Sequence, residues 1–289
     1  MSRSLVLLVL AVCYPGCAAA AWIADVDAGF LHDGNLNNAE LAQDIRSDRA
    51  VTASLSAGQF MQLDRDHSLT VTADVKGEIY HRFSGMNNIA AGATLGVRRK
   101  LGVGAAAPWL RLSASAARLD FNEDVRDGWL FRAGLSGGKR VAERWELLAE
   151  YSFEKRTGDD ETPVSRNLPG NVFDLQSHAA AFDVRYSLSE KTLFFVGYTW
   201  REGDVVSSSV PNAKIFRAST ALARDPVFGA GISAYKLDAI TRTISVGASQ
   251  ALSPRAALNL SYQRQMTHGA GDNNYFKNVF TATYAHGFF

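Results

Sequence analysis

Apolar and polar residues alternate with a period of two through much of this 289-residue chain. From Leu69 to Ile79 every second residue is apolar or small, and the residues between them are polar, as at Asp74 and Glu78. The segment from Trp145 to Arg156 has the same pattern. This alternation predicts β-strands with one apolar and one polar face.

The alternating segments are longer than the five or six residues of an ordinary strand and match the roughly 9–11 residues of a tilted strand that crosses a bilayer. Strands are predicted at 22–31, 48–62, 67–83, 89–101, 107–121, 127–140, 145–157, 175–188, 192–203, 237–252, 256–267 and 276–289. Lipid leaves no strand edge unpaired, so such strands must close on themselves. The predicted fold is all-β, an antiparallel up-and-down transmembrane barrel of about 12 strands.

The predicted connections alternate between short turns and longer loops. The longest loops cover about 33–47, 158–174 and 204–236. In outer-membrane barrels short turns face the periplasm and long loops face outside. Aromatic residues near both strand ends, such as Trp22 and Trp200, favour two interfacial girdles over the alternative of a soluble β-sandwich.

The N-terminus has the features of an exported protein. Arg3 precedes an apolar run, and small residues follow up to Ala21, which predicts a secretory signal peptide at 1–20 and a barrel domain at 21–289. Cys13 and Cys17 both lie in the predicted signal peptide, so we expect no disulfide in the mature barrel. Lipidation at Cys17 is the alternative, although the residues before it lack the usual leucine.

Charge is nearly balanced, with 30 Lys and Arg against 29 Asp and Glu, and this gives no electrostatic footprint for nucleic acid. The polar strand faces should line the lumen. We expect a lumen charge column formed by Glu146, Glu150, Glu154, Arg111, Arg132, Arg185, Asp74, Glu78 and Arg82. The same face also carries Arg156, Arg201 and Lys277.

Two interpretations of these charges remain open. Opposed acidic and basic columns can set a transverse field across a narrow aqueous pore and select small solutes. Alternatively, the charges pair with one another and fill a closed barrel.

The longest predicted loop, 204–236, is a candidate constriction. It carries Lys214, Arg217, Arg224 and Asp225, and residues 211–224 are compatible with a short helix. Loops of this length are usually functional or disordered. We expect this one to fold over or into the lumen and gate it.

Enzymatic and metal sites have weaker support. Barrel lipases and deacylases place a serine two residues from a histidine, and no histidine here has a serine two places on. Asp33, Asn35 and Asn37 alternate in one loop and are compatible with calcium, yet such clusters are also ordinary turn chemistry. We therefore predict no catalytic residue, no cofactor and no metal site.

The last strand, from Phe280 through Tyr284 to Phe288 and Phe289, resembles the C-terminal assembly signal of bacterial outer-membrane proteins. That resemblance implies recognition by the barrel assembly machinery. The first hairpin, from Gly29 to Asn38, is similar to the opening of several barrel families, including the barrel of surface lipoprotein assembly modifiers. Their helical-repeat domain has no counterpart in this sequence, so their function is not transferred.

Together these features predict an outer-membrane barrel that is a narrow passive diffusion channel for small hydrophilic or charged solutes. The alternatives are a structural or surface-binding barrel with a filled lumen and, third, a lipid- or envelope-modifying enzyme. The expected partners are outer-membrane lipid and lipopolysaccharide, the assembly machinery and small polar solutes.

Overall fold

A computed structural model describes residues 20–164 and 168–288 of the chain. The predicted signal peptide lies outside the described residues except for Ala20, and so do Cys13, Cys17 and Phe289. No helix within the described ranges is both long and apolar enough to cross a membrane.

The described residues form thirteen strands and one α-helix, joined by turns and short 3₁₀ segments. The strands are β1 (Ala20–Asp33), β2 (Asp48–Gln62), β3 (His67–Tyr80), β4 (Asn88–Lys100), β5 (Trp109–Phe121), β6 (Gly128–Ala142), β7 (Trp145–Gly158), β8 (Leu175–Ser187), β9 (Thr192–Ser209), β10 (Ala221–Arg224), β11 (Ser233–Ser253), β12 (Ala256–Gly269) and β13 (Asn273–Gly287). The helix α1 covers Ala213–Ala218.

Twelve of these strands close into an antiparallel barrel. Each pairs with its neighbour along the chain, β13 pairs with β1, and β9 pairs with β11 across the intervening segment. The four-residue strand β10 pairs only with the outer end of β11 and stands outside the barrel wall. The predicted all-β, up-and-down barrel of about 12 strands is therefore confirmed.

Several predicted strand boundaries differ from the structure, and those of β3, β9 and β11 differ for identifiable reasons. Strand β3 ends at Tyr80 rather than at residue 83, because the backbone N–H groups of Arg82 and Phe83 turn away to donate to Asp48 Oδ2 at 2.9 and 3.0 Å. Strands β9 and β11 pair with each other out to Ser209 and Ser233. The serine-rich end of β9 lacks the apolar alternation that marks a strand, so only this pairing identifies it.

The outer face of the barrel is apolar and exposed. Val51 on β2 is 61% exposed and Ile79 on β3 is 66% exposed, and every barrel strand from β1 to β13 presents such residues. Covering large apolar side chains is worth about 25 cal/mol per Å² removed from water, so a continuous exposed belt of them is a surface for lipid. The alternating polar residues consequently face the lumen.

Side chains also fix one of the short turns. In the turn between β2 and β3, Asp64 accepts hydrogen bonds from the backbone N–H groups of Asp66 and His67, both at 2.8 Å. These bonds and the His67 ring lower the pKa of the Asp64 carboxyl, because they favour its charged form.

Candidate functional site: lumen and roof

The predicted acidic column on β7 is partly paired with arginines on the adjacent strands. Glu154 lies directly opposite Arg132, and Glu154 Oε2 accepts from Arg132 Nε at 2.7 Å. Glu146 lies opposite Arg185, with 3.8 Å between Oε2 and Nη1. Glu150, between them, faces Ser136 and Ala181. Pairing therefore neutralises both ends of the column and leaves a carboxylate in its middle.

Glu150 lines a recess of about 380 Å³ in the lumen wall. Arg132, Glu154 and the hydroxyl residues Ser113 and Ser152 line the same recess. Apolar residues of the same strands, including Ala114, Ala133 and Phe153, complete the lining beside these polar groups. The middle of this wall is thus suited to water and small polar solutes.

On the neighbouring wall, hydroxyl groups and a lysine satisfy the predicted acidic residues. Asp74 accepts from Ser56 Oγ at 2.6 Å, from Thr94 Oγ1 at 2.8 Å and from Thr72 Oγ1 at 3.1 Å. Glu78 pairs with Lys76 Nζ at 2.7 Å and accepts from the Tyr80 hydroxyl at 3.0 Å. These bonds hold both carboxylates against the strands.

Two predicted basic residues of the lumen column behave differently from one another. Arg82 lies beyond the end of β3, outside the column, with its guanidinium 5.5 Å from the Phe83 ring centre. Arg111 lies in the lumen across Gly96 of the adjacent strand, and a methyl group added there would be 2.8 Å from Arg111 Nη2. Of these two arginines, only Arg111 contributes charge to the lumen wall.

Large lumen side chains repeatedly lie flat over a glycine of the next strand. Trp109 covers Gly138, where an added methyl group would be 2.7 Å from the indole. Asp183 covers Gly197 in the same way. Glycine leaves room for such a close approach because it has no Cβ. The side chains therefore coat the wall and leave the centre of the lumen less obstructed than extended side chains would.

The segment 204–236, named here the roof, is folded and closes over the long-loop end. Two small apolar clusters hold it in place. One contains Val205, Ile215, Leu222, Tyr235 and Leu237, and the other contains Val172, Phe173, Ala221, Ala223 and Ala234. The expected helix is present as α1, and Asn212 caps it through bonds to the N–H groups of Lys214 and Ile215.

The four candidate constriction residues of the roof separate into two groups. Lys214, Arg217 and Arg224 are exposed on its surface, and Lys214 pairs with Glu40 on another external loop. These three residues do not line the lumen, because the apolar sides of α1 and β10 are the ones that pack inward. Asp225 alone is fully buried.

Asp225 is the buried anchor of the roof. Its Oδ2 accepts from Arg126 Nη2 and from Ser208 Oγ, both at 2.5 Å. Arg126, on the loop between β5 and β6, has a side chain only 8% exposed, and its guanidinium stacks 4.8 Å from the Phe173 ring centre. This pair joins the roof to the opposite side of the barrel mouth.

Asparagines of the first long loop complete the attachment. Asn37 Nδ2 donates to Ser208 O at 2.7 Å, and Asn38 Nδ2 donates to Val206 O at 2.9 Å. Asp33 and Asn35 are engaged in their own turn, with Asn35 N donating to Asp33 Oδ1 at 2.8 Å. The Asp33, Asn35 and Asn37 cluster is accordingly turn and anchoring chemistry.

Beneath the roof lies a chamber of about 310 Å³. Roof residues Val205 and Ser208 form one side of it, and lumen-facing residues of the barrel, including Arg156, Arg201 and Lys277, form the other. Arg126 also lines it. The chamber is therefore part of the lumen, directly under the roof.

Sequence reasoning missed three residues of consequence. Arg126 is in a predicted loop with no local signal for burial. Arg242 and Arg264 fall on the lipid-facing side, in phase with Ile244 and with Leu260 respectively. The alternation does identify Arg242 and Arg264 as lipid-facing when it is applied strictly, because each lies an even number of residues from the apolar residues of its strand.

No enzyme-like constellation emerges among the described residues. Two histidine rings form hydrogen bonds among the described residues. His67 bonds to Asp64 and His178 bonds to Tyr151, and neither bonds to a serine. Nor do the described residues contain a cluster of three His, Cys, Asp or Glu side chains placed to hold a metal ion.

One comparison with a solved structure supports this architecture. An outer membrane channel of Pseudomonas putida F1 superposes with a TM-score of 0.59 at 12% identity, covering 96% of this chain and 100% of that chain. The NanC porin gives a TM-score of 0.49 at 8% identity, covering 91% of this chain and 98% of its own. No family model matches the sequence.

Two curated relatives, both named esterase EstA, match locally. Esterase EstA of Pseudomonas aeruginosa is 32% identical over 101 residues, which are 32% of this chain and 16% of EstA. The chain thus matches less than a fifth of that protein's length.

The closed barrel, its apolar exterior and its polar interior define the class of protein. It is a β-barrel membrane protein with the fold of bacterial outer-membrane channels. Its location is accordingly the outer membrane, as the sequence predicts.

Proposed function

We propose that this barrel is a narrow passive diffusion channel for small hydrophilic or charged solutes. The observation that carries the proposal is the arrangement of the lumen side chains. Arg111, Trp109 and Asp183 lie over wall glycines instead of crossing the lumen. Side chains held to the wall leave a water path, in contrast to the filled interior of many small barrels.

The charged wall supports selection among the solutes. Arg132 and Glu154 form an exposed pair beside Glu150, which has no ion pair among the described residues, so both signs of charge face the same recess. Pores commonly select by such fixed charges and by their diameter. The roof adds a second element, because it narrows the outer mouth while leaving the chamber beneath it.

Planar-bilayer recording of the purified full chain tests the proposal. The expected result is discrete conductance steps in potassium chloride, and liposomes containing the protein should swell in small neutral polyols. A heat-unfolded sample of the same preparation is the control. Folded protein that stays silent in the bilayer and admits no polyol contradicts the proposal and supports the alternative of a structural barrel with a filled lumen.

A further inference from the structure

The chamber under the roof contains an excess of positive charge. Four cationic side chains line it: Arg126, Arg156, Arg201 and Lys277. Two of them have acidic partners outside the chamber lining, Asp225 for Arg126 and Asp33 for Lys277. Asp204, which also lines it, pairs with Lys236 at 3.2 Å.

Arg156 and Arg201 form no ion pair within the described part of the chain. Arg156 donates to the backbone oxygen of Arg126 and stacks against the Phe121 and Phe173 rings at 5.3 and 5.1 Å. Arg201 Nη2 donates to Asp204 O at 2.8 Å. Both side chains are partly buried, and among the described residues only backbone oxygens accept hydrogen bonds from them, so a counter-charge in the chamber would be favourable.

Buried donors in the same place lack acceptors. Arg126 Nε and Arg156 Nε are both buried without a hydrogen-bond partner among the described residues. The Arg126 side chain is more than nine-tenths buried. A carboxylate in the chamber would not reach these two buried nitrogens, but it supplies the negative charge that the chamber lacks, and arginine forks bind carboxylates with charge-assisted bonds.

The rest of the lining limits what else the ligand can contain. Leu36, Val205 and Phe228 give the chamber apolar surface beside the arginines. Its volume of about 310 Å³ is at the small end of the range of ligand pockets, ~300–1,000 Å³. The lining therefore fits a small molecule with a carboxylate at one end and an apolar body at the other.

We propose that this chamber is a binding site for small organic carboxylates, held by Arg156 and Arg201 under the roof. A role for this site in solute permeation rests on the proposed channel function. As a binding site, it is testable without any measurement of conductance.

Equilibrium binding to the full chain in detergent tests the site, with cyclohexanecarboxylate as the probe and its carboxamide as the neutral match. We expect the carboxylate to bind and the carboxamide to bind at least about tenfold more weakly, which corresponds to ~1.4 kcal/mol. Arg156→Gln and Arg201→Gln should each reduce carboxylate affinity about tenfold. Arg217→Gln, an exposed roof arginine that does not line the chamber, should leave the affinity unchanged.

Arg156 also contacts the loop that carries Arg126, so Arg156→Gln alone is open to a structural explanation. Arg201→Gln removes a side chain with a single backbone contact in the described residues and keeps the test decisive. Equal binding of carboxylate and carboxamide, or unchanged affinity in Arg201→Gln, overturns the proposal. Binding without conductance would contradict the proposed channel function and support the binding site. Conductance without binding would support the channel function and contradict the binding site.

Discussion

At the scale of single residues, the buried Arg126–Asp225 pair is the ion pair that attaches the roof to the loop between β5 and β6. Its atoms are removed from water, and the remaining Asp225 oxygen, Oδ1, has no partner in the described residues. Breaking such a pair by neutralising one member leaves an uncompensated buried charge and typically costs about 3–5 kcal/mol. The pair therefore makes the roof sensitive to a single substitution.

Asp225→Asn is expected to loosen the roof without unfolding the barrel, because the barrel ladders do not depend on this contact. Backbone amides of the roof should exchange with solvent faster by an amount equivalent to about 3–5 kcal/mol. Arg224→Gln, which changes the exposed neighbouring residue, is the matched control. Equal exchange in the two variants would show that the pair does not hold the roof.

A second residue-scale prediction concerns the wall glycines. Gly138→Ala places a methyl group 2.7 Å from the Trp109 indole and 2.7 Å from Leu148 Cδ2, so both lumen side chains must shift away from the wall. We expect a lower single-channel conductance and a loss of about 1–3 kcal/mol in stability, typical of overpacking.

Gly77→Ala is the control for that experiment, because the nearest heavy atom to its added methyl group is Asn88 O at 3.8 Å. Gly77 lies on the lipid-facing side of β3, in phase with Val75 and Ile79. If both variants conduct like the unmodified protein, the Trp109 ring does not limit the pore.

At the scale of elements, the sequence predicts the barrel strands well and the roof poorly. The period-two pattern gives the bounds of β2 as the structure has them, since each of its residues faces either lipid or lumen. The same rule fails for Val205 to Ser209, where both faces of the strand are covered and the residues are small. Burial there depends on contacts with distant loops, such as Asn37 with Ser208, which local pattern does not contain.

In the candidate site, too, contacts between neighbouring strands can be predicted from the sequence, whereas contacts made by loops cannot. Direct cross-strand neighbours such as Arg132 and Glu154 follow from strand order and register, and sequence reasoning placed them on adjacent strands. The position of Arg82 does not follow, because a turn of the backbone ends β3 before it. Arg126 meets Asp225 across 99 residues of sequence, a separation that no periodicity encodes.

Removal of residues 211–231, with β9 and β11 joined by a short glycine–serine turn, is the element-scale prediction. The deletion removes α1 and β10 but keeps the strand pairing that closes the barrel. We expect larger conductance and a higher open probability, because the outer mouth loses its cover. Deleting 103–105 in the exposed turn between β4 and β5 controls for loop shortening. Unchanged currents after removal of the roof segment would show that it does not gate.

At the scale of the whole molecule, the charges on the lipid-facing surface are unevenly distributed. On one side of the barrel Arg118 is paired with Asp159. On the other side, Arg242 and Arg264 form no ion pair within the described residues. They lie on adjacent strands at diagonal positions, for which the expected Cα separation is about 7–8 Å.

These two arginines are located near the membrane interface at the long-loop end. Tyr262, two residues before Arg264, has its ring centre 4.8 Å from that of Phe280. The guanidinium of Arg264 lies 4.2 Å from the centre of the Phe276 ring. Arg264 Nη1 also donates to Asn278 Oδ1 at 3.0 Å, which holds the side chain in place. Long loops mark the outer leaflet in this class of barrel, so we propose that the pair binds lipopolysaccharide phosphates.

We therefore expect Arg242→Gln combined with Arg264→Gln to weaken retention of lipopolysaccharide by the purified barrel. Each lost charge-assisted contact should cost about 1.5–3 kcal/mol. The measurement is native mass spectrometry after reconstitution in vesicles whose outer leaflet contains lipopolysaccharide, with phosphatidylcholine vesicles as the lipid control. Arg132→Gln, an arginine that faces the lumen, should retain lipopolysaccharide like the unmodified protein. Equal retention by the double variant would mean that Arg242 and Arg264 do not bind lipopolysaccharide phosphates.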